Sequence, residues 1–183
     1  PERREIISFD IITALITPFK KNGEIDYQKI DVLVKTQIEN HAKGIVLAGT
    51  TGEGNLLEIK EKLELFQYVS SKYYPELLII LNVGTASTIE TINLIKKIEM
   101  SQIQCDAYMV VIPYYVLASF NGIEKHYLKI SEASSKPIII YDIPKRTGVK
   151  LKKEELLKLL KIEKVIGIKE ASDDLELIKY LID

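Results

Sequence analysis

The residues of this chain that could do chemistry are one lysine, a few hydroxyls and a few phenols, each at the end of a short apolar segment. The last such segment leads directly into Lys169. Along an extended strand, alternation places Val165 and Gly167 on the face of Lys169, and Ile166 and Ile168 on the opposite face. If the two isoleucines pack against helices, the lysine points inward and the glycine leaves space beside it. A lysine that is taken out of water loses its proton more readily, and the neutral amine is a nucleophile.

The alternative for this lysine is an ammonium group that reaches solvent, which is the common state of lysines in proteins. Polar groups at other strand ends favour the inward orientation. Alternation puts Thr50 on one face with Val46 and Ala48, and Tyr141 on one face with Ile139. Together with backbone N–H groups of a Gly-rich turn, these groups fit a small carbonyl acid. The amine would attack the carbonyl, the amides would hold the carboxylate, and the phenol would move protons.

The apolar segments recur every 28 to 33 residues and alternate with stretches of helical periodicity. Asp26 is the predicted N-cap of the first helix, whose apolar face carries Ile30, Leu33, Val34 and Ile38. The predicted strands are Ile11–Thr17, Gly44–Ala48, Leu77–Val83, Ala107–Ile112, Pro137–Ile143 and Val165–Ile168.

This alternation predicts an α/β protein built from successive βα units on a parallel sheet. Two architectures fit equally well at this point, an open doubly wound sheet and a (β/α)8 barrel, because both bury parallel strands on two faces. In either one, functional groups gather at the carboxyl ends of the strands. The Gly-rich loop after the second strand, residues 49–54, has neither the P-loop pattern nor the dinucleotide-binding spacing of glycines.

Composition argues against several other classes of protein. With 25 Lys and Arg against 26 Asp and Glu, the net charge is −1, which leaves no basic excess for nucleic acid. No apolar run reaches the ~18–20 residues of a membrane span. The single cysteine, Cys105, excludes an internal disulfide, and the widely spaced His41 and His126 are poor metal ligands. We therefore expect a cytoplasmic globular protein with no metal, nucleic-acid partner or membrane partner.

Five motifs in chain order resemble the dihydrodipicolinate synthase / N-acetylneuraminate lyase family of pyruvate-dependent class I aldolases. They are Thr13–Phe19, Gly49–Glu53, Pro113–Tyr115, Tyr141–Gly148 and Gly167–Ala171. The resemblance implies a (β/α)8 TIM barrel, of which this chain covers roughly the first six βα units. Residues 1–183 would then be the N-terminal part of a single catalytic domain, with the remaining strands and C-terminal helices absent from this chain.

The resemblance also implies roles for individual residues. Lys169 would form an imine with pyruvate, so that no separate cofactor is needed. Tyr141 would be the general acid/base, Thr50 would relay protons, and Tyr115 would complete the relay by reaching into a neighbouring subunit.

The remaining site residues would bind the substrates. By the same resemblance, Gly49 and Thr51 lie in the loop that holds the pyruvate carboxylate. Arg146 is one of only three arginines among the 25 Lys and Arg residues, and the other two are in the N-terminal tail. An arginine at this position suggests bidentate binding of a carboxylate. In dihydrodipicolinate synthases the corresponding arginine binds aspartate semialdehyde.

Arg146 therefore favours one reaction within the family. Pyruvate would condense with L-aspartate 4-semialdehyde to 4-hydroxy-tetrahydrodipicolinate, in lysine and diaminopimelate biosynthesis. The alternatives are an N-acetylneuraminate lyase or 2-keto-3-deoxy sugar acid aldolase, and a non-catalytic pyruvate-binding relative. The resemblance implies a homotetramer built from two dimers. The chain departs from the usual motifs at Asp142, where Asn is usual, and at Val116-Leu117.

Overall fold

The computed structural model describes residues 10–182, without the side chain of Ile182. Residues 1–9, with Arg3 and Arg4, and Asp183 belong to the predicted domain but lie outside the described residues. The chain divides into two compact units. The first extends to Leu81 and includes residues 103–106, and the second comprises residues 82–102 and everything from Ala107 onward.

Strands and helices alternate along the chain, as the sequence predicts. The strands are β1 (Ile12–Ala14), β2 (Gly44–Leu47), β3 (Leu78–Asn82), β4 (Ala107–Val111), β5 (Ile138–Asp142) and β6 (Val165–Glu170). The helices are α1 (Tyr27–Glu39), α2 (Ile59–Tyr73), α3 (Thr88–Met100), α4 (Phe120–Ala133), α5 (Pro144–Thr147), α6 (Lys153–Leu159) and α7 (Leu175–Ile182).

In the first unit, β1, β2 and β3 pair in parallel in chain order. Asp26 caps α1 as predicted, because its carboxylate accepts a hydrogen bond of 3.2 Å from the backbone of Lys29. On the predicted apolar face of α1, Ile30 and Val34 are fully buried, whereas Ile38 is 38% exposed. The core of this unit combines strand and helix side chains that are almost inaccessible to solvent, namely Ile45, Leu47, Ile79, Leu81, Leu65, Phe66 and Val69.

One polar cluster joins the two helices of the first unit. The carboxylate of Asp31 on α1 accepts hydrogen bonds from the phenols of Tyr68 and Tyr73 on α2, both at 2.9 Å. It also accepts one of 2.7 Å from the ammonium group of Lys72, which lies 4.1 Å from the ring centroid of Tyr68. Burial and then the hydrogen bond to Asp31 raise the pKa of Tyr73 to about 12.

In the second unit, β4, β5 and β6 also pair in parallel in chain order. The hydroxyl of Thr88, the first residue of α3, lies 2.9 Å from Nδ1 of the buried His126 on α4. The ammonium group of Lys164 donates hydrogen bonds to the carbonyls of Ser131 and Ser134 at the end of α4, where a positive charge also complements the helix dipole. Cys105, which belongs to the first unit, is buried and forms no disulfide.

The sixth strand differs from its predicted form. It continues through Lys169 and Glu170, and its register with β5 is irregular, since Ile138 pairs with Val165 and Ile139 pairs with Gly167. Strict alternation of the whole strand is therefore wrong, because the extra residue shifts Val165 relative to Gly167 and Lys169. The expectation that Ile166 packs against a helix is also wrong, since this side chain is 51% exposed.

The first strand is shorter than predicted, because only Ile12–Ala14 pairs with β2 as a regular strand. Thr17, beyond its end, is buried and donates a hydrogen bond of 2.7 Å to the carbonyl of Gly52. The chain after β1 therefore packs against the Gly-rich loop.

Over residues 10–182, every helix falls short of the length or the apolar character that crossing a bilayer requires.

Candidate active site

Lys169 and Tyr141 come together at the carboxyl ends of two neighbouring strands. They are register partners on β6 and β5, and Nζ of Lys169 lies 4.2 Å from the centroid of the Tyr141 ring. Tyr141 is buried, whereas Lys169 is only partly covered. Among residues 10–182, the amine of Lys169 has no hydrogen bond or ion pair to occupy it. This arrangement leaves the nitrogen available to react beside a phenol.

The space predicted beside the lysine is present. A Cβ added to Gly167 would meet no heavy atom within 4 Å among the described residues. Gly167 is also in register with Ile139, one alternation step before the pair Tyr141 and Lys169, so it lies on the same face of the sheet. A small substrate carbon skeleton therefore has room next to the amine.

The strand positions that follow, Asp142 and Glu170, were not singled out as functional by sequence reasoning. They are also register partners, and Asp142 is only 1% exposed. Burial, the negative charge of Glu170 and a hydrogen bond with Glu170 raise the pKa of Asp142 to about 7. The one signal in the sequence was the unusual Asp at a position where related motifs carry Asn.

Three predicted site residues, Gly49, Thr50 and Thr51, lie in the loop between β2 and α2 of the first unit. Alternation along β2 does not set the position of Thr50, because the strand ends at Leu47 and Ala48 adopts a left-handed φ of 51°. The parity argument for Thr50 is therefore wrong, although the loop has the predicted tight form. Gly49 is buried, and both threonines are exposed.

The loop is closed by backbone contacts that need small residues. The N–H of Gly54 donates a hydrogen bond of 3.0 Å to the carbonyl of Gly49. A Cβ added to Gly54 would stand 1.7 Å from the carbonyl oxygen of Ala48, so no larger residue fits without moving the chain. The Gly-rich composition therefore reflects close packing of this turn, which fixes where the two threonines are presented.

Tyr115 lies in the second unit on the loop between β4 and α4 and is 91% exposed. Its φ of 73° is rare for a bulky residue, and the N–H of Val116 donates a hydrogen bond of 2.9 Å to the carbonyl of Tyr114 across it. This is a strained γ-turn, and strained backbone of this kind concentrates at functional sites. Within the described chain, no hydrogen bond or ring contact joins Tyr115 to Lys169.

Arg146 lies in the second unit on α5, a single turn of helix directly after β5. Gly148 ends that turn in the left-handed region, with a φ of 72°, and donates its N–H to the carbonyl of Pro144. The guanidinium of Arg146 is exposed and forms no hydrogen bond or ion pair to another residue of the described range. Its five donors are therefore available for an anionic ligand.

The second unit thus presents an unoccupied amine, a buried phenol and an available guanidinium near the ends of β5 and β6. An amine beside a phenol suits attack on a carbonyl and proton transfer at the resulting nitrogen. Over the part of the chain that the structure describes, no group of three or more His, Cys, Asp or Glu side chains is arranged to hold a metal ion.

Comparison with known proteins identifies the family of the chain. The sequence model of the dihydrodipicolinate synthetase family matches residues 8–183. The chain is 40% identical over 169 residues to the 4-hydroxy-tetrahydrodipicolinate synthase of Enterococcus faecalis, covering 92% of this chain and 58% of the relative. It is 37% identical over 174 residues to the enzyme of the same name in Bacillus subtilis, covering 94% and 59%.

A solved structure supports the fold assignment. The dihydrodipicolinate synthase of Acinetobacter baumannii, in its chloride-inhibited form complexed with pyruvate, superposes with a TM-score of 0.90 at 35% identity. The match covers 95% of this chain and 59% of that protein, so this chain spans a little under three fifths of the relatives' length. The predicted fold class, the first six βα units of a (β/α)8 barrel, is confirmed. The chain belongs to the dihydrodipicolinate synthetase family.

Proposed function

We propose that the protein containing this chain is a Schiff-base synthase that condenses pyruvate with L-aspartate 4-semialdehyde to 4-hydroxy-tetrahydrodipicolinate. The observation that carries the proposal is the amine of Lys169 at 4.2 Å from the ring of Tyr141, in a chain whose relatives are synthases of this name. Pyruvate as the first substrate is supported by its presence in the related Acinetobacter baumannii structure.

The reaction begins at Lys169. Its neutral amine adds to the C2 carbonyl of pyruvate, and loss of water gives an imine whose protonated nitrogen withdraws electrons. Loss of a proton from the C3 methyl group then gives an enamine, and C3 of the enamine attacks the aldehyde carbon of the semialdehyde. The amino group of the semialdehyde then adds to C2 and displaces the amine of Lys169, which closes the ring and regenerates the free lysine. Tyr141, beside the nitrogen, donates and accepts the protons of these steps. The covalent imine takes the place of a cofactor.

Two different segments of the chain are proposed to bind the carboxylates of the two substrates. The Gly49 loop, with Thr50 and Thr51, holds the carboxylate of pyruvate, and its tight backbone supports this role because consecutive N–H groups in such a turn bind anions. Arg146 holds the carboxylate of the semialdehyde through a bidentate pair. Its exposed and unoccupied guanidinium supports this assignment.

The oligomer is a further part of the proposal. Tyr115, Val116 and Leu117 expose 91%, 63% and 67% of their surface on one loop, which is an apolar surface suited to contact with a second copy of the chain. We assign Tyr115 to the proton relay of the neighbouring subunit's site, with Thr50 as the intermediate hydroxyl. The assembly is a homotetramer of two such dimers, and the location is the cytoplasm.

Trapping with borohydride tests the central step. The full-length protein is incubated with pyruvate, reduced with borohydride and analysed by peptide mass spectrometry. A reduced pyruvyl group should appear on Lys169, and Lys169→Ala should abolish it. Lys161→Ala, which removes an exposed lysine from the segment between α6 and β6, is the control and should label normally. Labelling of another lysine in the wild-type protein would disprove the assignment.

Turnover assays with different substrates then identify the aldehyde that accepts pyruvate. Wild-type protein should consume aspartate semialdehyde in the presence of pyruvate and should not cleave N-acetylneuraminate. Cleavage of N-acetylneuraminate with no turnover of the semialdehyde would place the protein among the lyases. Imine formation without turnover of any aldehyde would indicate a pyruvate-binding relative.

A further inference from the structure

Two carboxyl groups lie next to each other on β5 and β6, one residue beyond the pair that is proposed to react. In the register of β5 and β6, Tyr141 pairs with Lys169, and the next residues, Asp142 and Glu170, pair with each other. Successive side chains of a strand point to opposite faces, and adjacent strands are ~4.8 Å apart. Asp142 and Glu170 therefore lie next to each other on the face opposite to the amine and the phenol.

Both carboxyl groups have an oxygen that is buried without a hydrogen-bond donor. Oδ1 of Asp142 and Oε2 of Glu170 are shielded from solvent, and neither receives an N–H or O–H from a described residue. The other oxygen of Glu170, Oε1, accepts a hydrogen bond of 2.7 Å from the backbone N–H of Ser172. Two carboxylates have no hydrogen to offer each other, and a buried polar atom without a partner is costly. One proton between them supplies the missing donor.

The charges around Asp142 favour keeping that proton. Burial first, then the negative charge of Glu170 and a hydrogen bond with it, raise the pKa of Asp142 to about 7. The phenol of Tyr127 on α4 also interacts with Asp142, and it donates its hydrogen to the carbonyl of Val110. Burial and then the charge of Asp142 raise the pKa of this phenol, so it stays neutral.

Three cations lie near the carboxyl pair in the sequence. Lys169 precedes Glu170 directly, but its ammonium group lies 4.2 Å from the ring centroid of Tyr141, on the opposite face of the sheet. Lys145 on α5 forms an ion pair of 2.5 Å with Asp173, and Arg146 on the same helix is exposed. None of the three is among the groups that shift the pKa of Asp142. The proton is therefore the group that neutralises the carboxyl pair.

We propose that Asp142 and Glu170 share one proton, and that this bridge is a positioning device that holds the ends of β5 and β6 so that Tyr141 and Lys169 stay in contact. The proposal rests on the proposed function, because it assigns the bridge to the imine chemistry of that pair. The O–H of Asp142 donates to the Glu170 carboxylate, beside the backbone bond of 2.9 Å from Ala171 N–H to the Asp142 carbonyl. Loss of the shared proton leaves two adjacent negative charges, which repel each other and separate the strand ends.

The bridge predicts a pH dependence that Asn should remove. Above about pH 7, the rate at which wild-type protein traps pyruvate should fall by up to about tenfold per pH unit relative to the rate of Asp142→Asn, which lacks one of the two carboxyls. Asp142→Asn keeps a donor, because its amide N–H can bond to Glu170, but it cannot lose a proton in this range. The ratio of variant to wild-type rates should therefore rise with pH and level off below about pH 6.

The experiment combines two measurements on the full-length protein. Borohydride trapping of pyruvate is followed from pH 6 to 9 for the wild type, Asp142→Asn and the control Asp173→Asn, which removes an exposed carboxyl of the next loop. Infrared spectra over the same range should show the C=O stretch of a protonated carboxylic acid that disappears with a midpoint near pH 7. That band should be missing from Asp142→Asn and present in Asp173→Asn.

The outcomes separate this proposal from the proposed function. A titrating acid band together with a rate ratio that rises with pH would support the positioning bridge. Absence of the band, or a rate ratio that stays flat from pH 6 to 9, would overturn it. If the proposed function were wrong, the wild type would form no borohydride-stable adduct at any pH, and the infrared band alone would then decide whether the two carboxyls share a proton.

Discussion

Nζ of Lys169 lies 4.2 Å from the ring centroid of Tyr141, and the two residues are register partners on adjacent parallel strands. A phenol at this distance can exchange protons with groups that form on the lysine nitrogen after a small movement or through one water molecule. The ring itself also contributes an attraction for a cation, worth roughly 0.5–2 kcal/mol. In this contact, the hydroxyl of Tyr141 serves proton transfer and its ring serves binding of the lysine side chain.

Tyr141→Phe tests that separation. The variant keeps the ring and removes the hydroxyl, so pyruvate should still be trapped on Lys169 while kcat falls by about 10²–10⁴-fold. Steady-state kinetics with pyruvate and aspartate semialdehyde measure kcat, and borohydride trapping measures adduct formation. A decrease in kcat of less than about tenfold would show that the hydroxyl is not the general acid/base.

Arg146→Lys should affect the second substrate only. Lysine keeps the positive charge but loses the bidentate geometry, so the KM for aspartate semialdehyde should rise by about 10- to 100-fold. Pyruvate trapping should be unchanged. Lys145→Met, a change at the neighbouring exposed position on α5, is the matched control. If KM rose equally in both variants, Arg146 would not be the residue that binds the semialdehyde.

His126→Gln should alter how stability depends on pH. Burial lowers the pKa of His126 from 6.5 to about 4, so the folded protein keeps this ring neutral while the unfolded chain binds a proton. Between those two values acid favours unfolding, and this residue alone should reduce the free energy of unfolding by about 3 kcal/mol as the pH falls from 6.5 to 4. The variant should lack this decrease.

Urea denaturation at several pH values measures the effect of His126 as the difference between wild type and variant. The difference matters because Asp142 acts in the opposite direction: its raised pKa means that the folded protein binds the proton and loses stability as the pH rises towards 7. His41→Gln, at the other and exposed histidine, is the control. If His41→Gln flattened the curve as much as His126→Gln, burial of His126 would not be the cause.

Asp31→Ala should destabilise the contact between α1 and α2. The variant leaves the phenols of Tyr68 and Tyr73 without the acceptor that both use at 2.9 Å, at an expected cost of about 1–3 kcal/mol in the free energy of unfolding. Asp31→Asn keeps one acceptor oxygen and should cost less. Lys72→Met removes a partly exposed ion pair with Asp31 and the contacts of the ammonium group with Tyr68, and it should cost less than Asp31→Ala. A larger effect at Lys72 than at Asp31 would mean that the ion pair, not the tyrosines, stabilises the contact.

The pH dependence of Asp31→Ala follows from the same contacts. Burial would raise the pKa of Asp31, but hydrogen bonds from Lys72, Tyr73 and Tyr68 outweigh it and hold the pKa below its usual value. The folded protein therefore gives up this proton more readily than the unfolded chain. The contribution of Asp31 to the free energy of unfolding is present above its usual pKa of 3.8 and is lost as the pH falls below that value. Wild type and Asp31→Ala should consequently become more alike in acid.

The sequence determined the features that depend on neighbours along the chain. Apolar runs separated by one helix predicted the alternation of strands and helices, which the structure confirms. The run into Lys169 also predicted space at Gly167, and the structure shows that space. Asp26 as a helix cap follows from the same local patterns. The family motifs then selected the barrel over the open sheet, which periodicity alone left undecided.

Tertiary structure alone decided what depends on pairing between distant segments. The register of β5 and β6 is irregular opposite Ile138, and a left-handed Ala48 takes Thr50 out of the alternation of β2. A sequence pattern with a period of two predicts neither feature. The adjacency of Asp142 and Glu170 has the same origin, because residues 28 positions apart meet only when two strands settle into one register. Burial then converts that adjacency into a shifted pKa, a property of the folded environment that no residue carries by itself.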